Sequence, residues 1–232
     1  MKLAIMQPYF LPYIGYYQLI AAVDVFVVYD NIKYTKKGWI NRNRMLLNGT
    51  DATFSLPLKK DSDYLDVIQR EISPDFDRAK LLNQFEGAYR RAPYFAQTFS
   101  LLERIVRSEH SNLFHYIRSS IVETCAHLGI KTKICISSEV DIDHGLRGQD
   151  KVLAICKSLG ARTYINAIGG LELYGPEEFK ARGVELKFIK SKPLEYAQFG
   201  NEFVPWLSIV DVMMFNSLET VYDVASHNYE LI

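Results

Sequence analysis

"LAIMQPYFLPYIGYYQLIAAVDVFVVYD", residues 3–30, sets an apolar run, a segment of helical period and a second apolar run end to end. "LAIM" (3–6) and "VFVVYD" (25–30) are short and continuously apolar, as strands covered on both faces must be. Strand, helix and strand with short joints form a βαβ unit, which requires parallel pairing and a right-handed crossover. The same alternation returns later in the chain. "KICISS" (133–138), "TYIN" (163–166) and "VELKFI" (184–189) read as strands, separated by the helical patterns "DKVLAICKSLGA" (150–161) and "GPEEFKARG" (175–183). The expected fold class is α/β, with a mostly parallel Rossmann-like sheet.

The intervening chain predicts two additions to that sheet. Residues 31–48 are polar, basic and Gly-containing, a long loop or hairpin, while "TFSLPL" (53–58) and "DVIQREI" (66–72) read as strands of a small β edge. From about 75 to 130 the pattern is helical. Ile117, Ile121 and Cys125 mark one face of its last helix, which the glycine of "LGIKT" ends. No Pro/Gly linker isolates this lobe, so residues 1–232 are expected to form a single domain. The tail "SIVDVMMFNSLETVYDVAS" (208–226) predicts one or two closing helices, with Ser208 as N-cap and Asp211 able to cap the same first turn.

Composition excludes several function classes. Lys plus Arg and Asp plus Glu are 27 each, so no broad attraction to a nucleic-acid duplex or an anionic membrane is expected. There is no apolar run of about 18 residues and no signal-peptide order, which predicts a cytoplasmic protein without membrane insertion. Cys125, Cys135 and Cys156 are odd in number and lack a CxxC pair, so reduced buried thiols are expected rather than disulfides or a zinc site. His110 and His115 are five apart and do not share a helical face, so no metal site is expected. Fifteen tyrosines are the compositional oddity. They suit a pocket for a ring-shaped ligand and equally suit packing.

The turn after the first strand is where open α/β sheets bind ligands. Neither a Walker A loop nor a three-glycine dinucleotide fingerprint is present. Tyr13, Ile14, Gly15 and Tyr16 instead resemble the HIGH turn of nucleotidylyltransferases and class I aminoacyl-tRNA synthetases, with both histidines replaced by tyrosine. Tyrosine keeps a hydrogen-bond donor and cannot carry a positive charge, so phosphate stabilisation at this turn is weakened. Gln7, Pro8, Tyr9, Tyr13, Gly15 and Tyr16 are the nucleotide-binding candidates here, against the alternative that any one tyrosine only wedges helix against sheet. "KYTKKGWINRNR" (33–44) supplies guanidinium groups for phosphate and a tryptophan face for stacking, with Lys33, Trp39, Arg42 and Asn43 as candidates. Asn31 follows Asp30 at the end of the second strand and is suited to orienting an amine. "NAIGG" (166–170) reaches the same sheet edge, where Asn166, Gly169 and Gly170 form either a ligand loop or only a tight turn. Lys190 in "FIKSKP" resembles part of a KMSKS-type phosphate loop. Asp30 and His144 are the candidate proton acceptors for catalysis.

"MQPYFLPYIGYYQLI" and "VVYDNIKYTKKGWINRNRM", with "KVLAICKSLGARTYIN" and "FGNEFVPWLSIVDVMMFN" further on, are together similar to the WbqC-like family. That resemblance implies work in O-antigen and related surface-polysaccharide biosynthesis, on nucleotide-linked amino sugars. The implied reaction is acyl or aminoacyl transfer, such as glycyl, to the sugar amine. No cofactor follows from the residues; ATP and an acyl or aminoacyl donor are the candidates left open. An ATP-dependent adenylating ligase or nucleotidylyltransferase is the first alternative, and a non-catalytic binding or assembly protein of a polysaccharide pathway is the second; under any of the three the chain could form a homo-oligomer.

Overall fold

This computed structural model describes residues 1–200 and 202–232. Strand β1 (Lys2–Met6) leads through helix α1 (Ile14–Ala21) to β2 (Val25–Val28). A hairpin of β3 (Arg42–Leu47) and β4 (Thr50–Ser55) forms its own two-stranded sheet. Its two-residue turn is Asn48-Gly49, both at positive φ (52° and 79°), the pairing that matches strand twist. Helices α2 (Arg78–Tyr89), α3 (Phe95–Val106) and α4 (Leu113–Leu128) make the helical insertion, and Gly129 at φ 75° ends α4. Then come β5 (Lys133–Ile136), α5 (Gly148–Leu159), β6 (Thr163–Ala167), α6 (Pro176–Ala181) and β7 (Glu185–Ser191). The chain closes with α7 (Ile209–Phe215), α8 (Leu218–His227) and β8 (Tyr229–Leu231).

The main sheet has the order β5-β2-β1-β6-β7-β8, and only β8 runs antiparallel to its neighbour. Its five parallel strands are therefore ordered third, second, first, fourth, fifth along the chain, which is the Rossmann order. The order reverses between β1 and β6. Side chains alternate across the sheet: Leu3, Ile5 and Val27 face the layer of α5 and α6, while Ala4, Phe26 and Val28 face α1, α4 and α8. Both faces are covered, which is why these strands read as unbroken apolar runs.

Three local expectations are corrected. "DVIQREI" is not a strand: Val67–Gln69 is a 3-10 turn, because the Asp66 N–H donates to Gln69 Oε1 at 2.9 Å and closes a tight turn locally. Residues 66, 71 and 72 keep only isolated bridges to other segments, so the small sheet is the β3–β4 hairpin alone. Asp211 does not cap the last helices. Ser208 alone caps α7, accepting from the Val210 N–H, and the Asp211 carboxylate turns inward. It accepts from Tyr89 at 2.9 Å, Tyr196 at 2.7 Å and Gln198 at 2.7 Å, joining the helical insertion to the tail. Burial raises its pKa, and those three donors partly offset the rise.

Candidate functional site

The turn after β1 runs through a buried Leu11 at φ 45°, immediately before Pro12. A leucine in the left-handed region costs about 1–3 kcal/mol and persists only where its surroundings hold it. Distant segments do so here. The Phe10 N–H donates to Ile40 O at 2.9 Å, Ser208 Oγ donates to Leu11 O at 2.6 Å, and the Ile209 N–H donates to Pro12 O at 2.8 Å. Asn43 Nδ2 adds a weaker contact to Phe10 O at 3.4 Å. The first turn, the basic stretch around Trp39 and the start of α7 are thereby fastened into one structure.

Between them lies a cavity of about 460 Å³, walled by Tyr9, Tyr13, Tyr16, Trp39, Arg44 and Trp206. Its floor is Met6 and Ala167, the last residues of β1 and β6, so it opens at the reversal of strand order. Tyr13 and Trp206 pack with ring centres 5.2 Å apart, and the Arg44 guanidinium lies 5.7 Å from the Trp39 ring. Arg44 is held there by Trp206 O at 3.0 Å and Asp51 at 3.3 Å. Trp39 and Trp206 remain 45% and 62% exposed, an unusual placement for the largest apolar side chains. Gly15 lines this cavity and also permits close packing, since a Cβ would come within 3.0 Å of Ser191 Oγ and 3.2 Å of the Tyr13 ring. Burial raises the pKa values of Tyr9, Tyr13 and Tyr16, so their hydroxyls keep their protons at neutral pH.

A second cavity of about 420 Å³ adjoins the first across Met6, Tyr9 and Ala167. Gln7, Tyr29, Asn166, Gly169, Gly170 and Tyr174 contribute to its lining. Thus the candidates Gln7, Tyr9, Tyr13, Gly15, Tyr16, Trp39, Asn43, Asn166, Gly169 and Gly170 line one or other of two contiguous cavities. Pro8 is buried within the turn that joins them.

Asp30, Asn31 and His144 form a separate polar cluster at the ends of β2 and β5, and neither Asp30 nor His144 lines either cavity. Asp30 is 2% exposed and accepts from Ser137 Oγ at 2.9 Å and the Ser138 N–H at 3.0 Å. Asn31 Oδ1 accepts from Lys151 Nζ at 2.9 Å and lies 2.6 Å from Ser137 Oγ. Those contacts fix the amide, so Asn31 Nδ2 donates to His144 Nδ1 at 3.1 Å and the neutral ring carries its proton on Nε2. Lys151 is buried, and desolvation, with the Arg147 charge second, lowers its pKa.

The remaining basic candidates line neither of these two cavities. Arg42 gives its guanidinium to the carbonyls of Gly38 and Lys37, so the cavity's guanidinium is Arg44, two residues on and on the same face of β3. Lys33 sits over the Tyr64 ring at 4.5 Å. Lys190 pairs with Glu230 at 3.2 Å and lines a third cavity, behind Tyr13 and Trp206. Trp206, Lys151 and Ser137 were not singled out from sequence. "VPWLS" gave no sign that Trp206 adopts φ 62° and leans on Tyr13 from almost two hundred residues away. Among the described residues there is no group of three or more His, Cys, Asp or Glu suited to a metal ion, and no helix is long and apolar enough to cross a membrane.

Known proteins resemble the chain over most of its length. A Mycobacterium tuberculosis protein described as uncharacterized is 27% identical over 218 residues, covering 93% of each chain. No solved structure matches. The sequence model of the WbqC-like protein family matches residues 7–223, from the first turn through α7 and into α8, and the chain belongs to that family.

Proposed function

We propose that the protein is a transferase acting on a nucleotide-linked amino sugar in surface-polysaccharide biosynthesis, adding an acyl or aminoacyl group, such as glycyl, to the sugar amine. The observation that carries this reading is the cavity at the strand-order reversal, where aromatic faces and one fixed guanidinium stand together. Aromatic rings stack on sugar and base, and guanidinium pairs bidentately with phosphate. Membership of the WbqC-like family supports the same direction. In the reaction, the sugar's uncharged amine attacks the donor's carbonyl carbon. The new C–N amide bond forms, the bond from that carbon to the donor's leaving group breaks, and the leaving group takes both the electron pair and the nitrogen's proton. The Asp30, Asn31 and His144 cluster positions the chain after β2 in this reading, and the cavity tyrosines hold the acceptor by packing and hydrogen bonds.

Thermal unfolding in the presence of amino-sugar nucleotides, followed by product analysis with activated acyl and aminoacyl donors, tests the proposal. At least one such nucleotide should raise the melting temperature of the wild type and much less that of Arg44→Ala. Equal responses in both, or none in either, would overturn it.

A further inference from the structure

The cavity at the carboxyl ends of β1 and β6 presents an amide with no protein partner among the described residues. Asn166 is 5% exposed and lines this cavity, yet among the described residues its carboxamide makes no hydrogen bond. Its polar atoms open onto the cavity, and a ligand edge that pairs both of them takes the place of water there without leaving either unpaired. The local backbone is built to hold the group there: a Cβ on Gly170 would lie 2.1 Å from Asn166 Nδ2 and 3.1 Å from its Cγ. Only glycine leaves that space. Around the amide stand the aromatic side chains of Tyr9, Tyr29 and Tyr174 and the apolar Ile32 and Leu173.

A carboxamide presents one acceptor and one donor side by side, and its best partner presents the reverse pair on a rigid edge. Nucleobases do this on their pairing edges, while their flat faces suit tyrosine walls. A sugar can stack through its C–H face but offers hydroxyl groups rather than a rigid donor–acceptor edge. We infer that this cavity takes the nucleobase of the substrate, with Asn166 reading its polar edge, and that the adjoining aromatic cavity takes the sugar. The assignment rests on the nucleotide-sugar reading above and gives it a direction across Met6 and Ala167.

The tryptophans make the two cavities separately observable. The chain has two, Trp39 and Trp206; both line the aromatic cavity and neither lines the Asn166 cavity. Wild type, Asn166→Leu and Gly170→Ala would be titrated by calorimetry with the diphosphates of uridine, guanosine and adenosine. Amino-sugar 1-phosphates would be titrated in parallel by tryptophan emission. Gly170→Ala keeps the amide but displaces it, and it serves if the leucine variant folds poorly. The expected result is that at least one nucleoside diphosphate binds wild type and that both variants weaken it by about tenfold or more. The emission change on sugar phosphate binding should stay as in wild type. Nucleoside diphosphate binding that neither variant alters, or no such binding at all, would overturn the base assignment. If a nucleotide sugar binds and is modified regardless of Asn166, the proposed function stands and this pocket assignment falls. If base binding depends on Asn166 and no amino-sugar nucleotide is ever modified, the pocket stands and the proposed reaction falls.

Discussion

The polar cluster at the ends of β2 and β5 and the aromatic cavity between β1 and β6 share one sheet edge and differ in how their polar groups are used. In the cluster, Asp30, Asn31, Ser137, Lys151 and His144 bond to one another. In the cavities, tryptophans stand exposed and the Asn166 amide has no partner among the described residues. Saturated hydrogen bonding is what a fold needs for its own stability. Unsatisfied or exposed groups on rigid elements are what a ligand needs. Charged residue types alone point to the cluster as the chemical centre; their bonding points to the cavities.

Substitutions can break or sharpen this contrast. Asp30→Ala removes the acceptor of two inward donors and should lower the unfolding free energy by about 3 kcal/mol in urea titrations. Asp211→Asn, which leaves Tyr196 and Gln198 competing for a poorer acceptor, should cost about 2 kcal/mol. Because burial raises the Asp211 pKa, its contribution is fullest below the ordinary carboxylate range and is lost as pH rises through the raised value. The stability difference between wild type and Asp211→Asn should therefore shrink from acid to neutral pH, and a difference that grows instead would contradict the assignment. Ser208→Ala loses both the α7 cap and the bond to Leu11 O; the expected cost is about 1 kcal/mol, read from thermal or urea unfolding. Trp206→Ala should move stability by no more than about 0.5 kcal/mol. The same change should weaken binding of an amino-sugar nucleotide by about tenfold, since Trp206 is part of the cavity wall. A large stability loss at Trp206 with unchanged binding would reverse the contrast.

The parallel sheet was legible because its strands are covered on both faces and so carry continuous apolar runs. "LAIM" and "TYIN" could hardly be anything else beside helical patterns. Where local chemistry competed, the pattern misled: Asp66 and Gln69 turned an apparently alternating strand into a 3-10 turn. Strand β8 is three residues long at the sheet edge and includes the exposed Glu230, so it has no apolar run to betray it. Part of the cavity lining was legible by residue type, since Tyr9, Tyr13, Trp39 and Asn166 line the two cavities. Its partners were not. Arg44 could be preferred to Arg42 only once their hydrogen-bond partners were known, and Trp206 only once α7 was seen against the first turn.

The bond from Ser208 to Leu11 spans 197 positions of the chain. Residues 7–13 are synthesised almost two hundred positions ahead of the clasp that holds Leu11 in its disfavoured conformation. Closing so long a loop is slow and late. A growing chain can thus build β1, α1 and β2 early while its aromatic cavity stays open on one side, and competence to hold a ligand coincides with completion of α7.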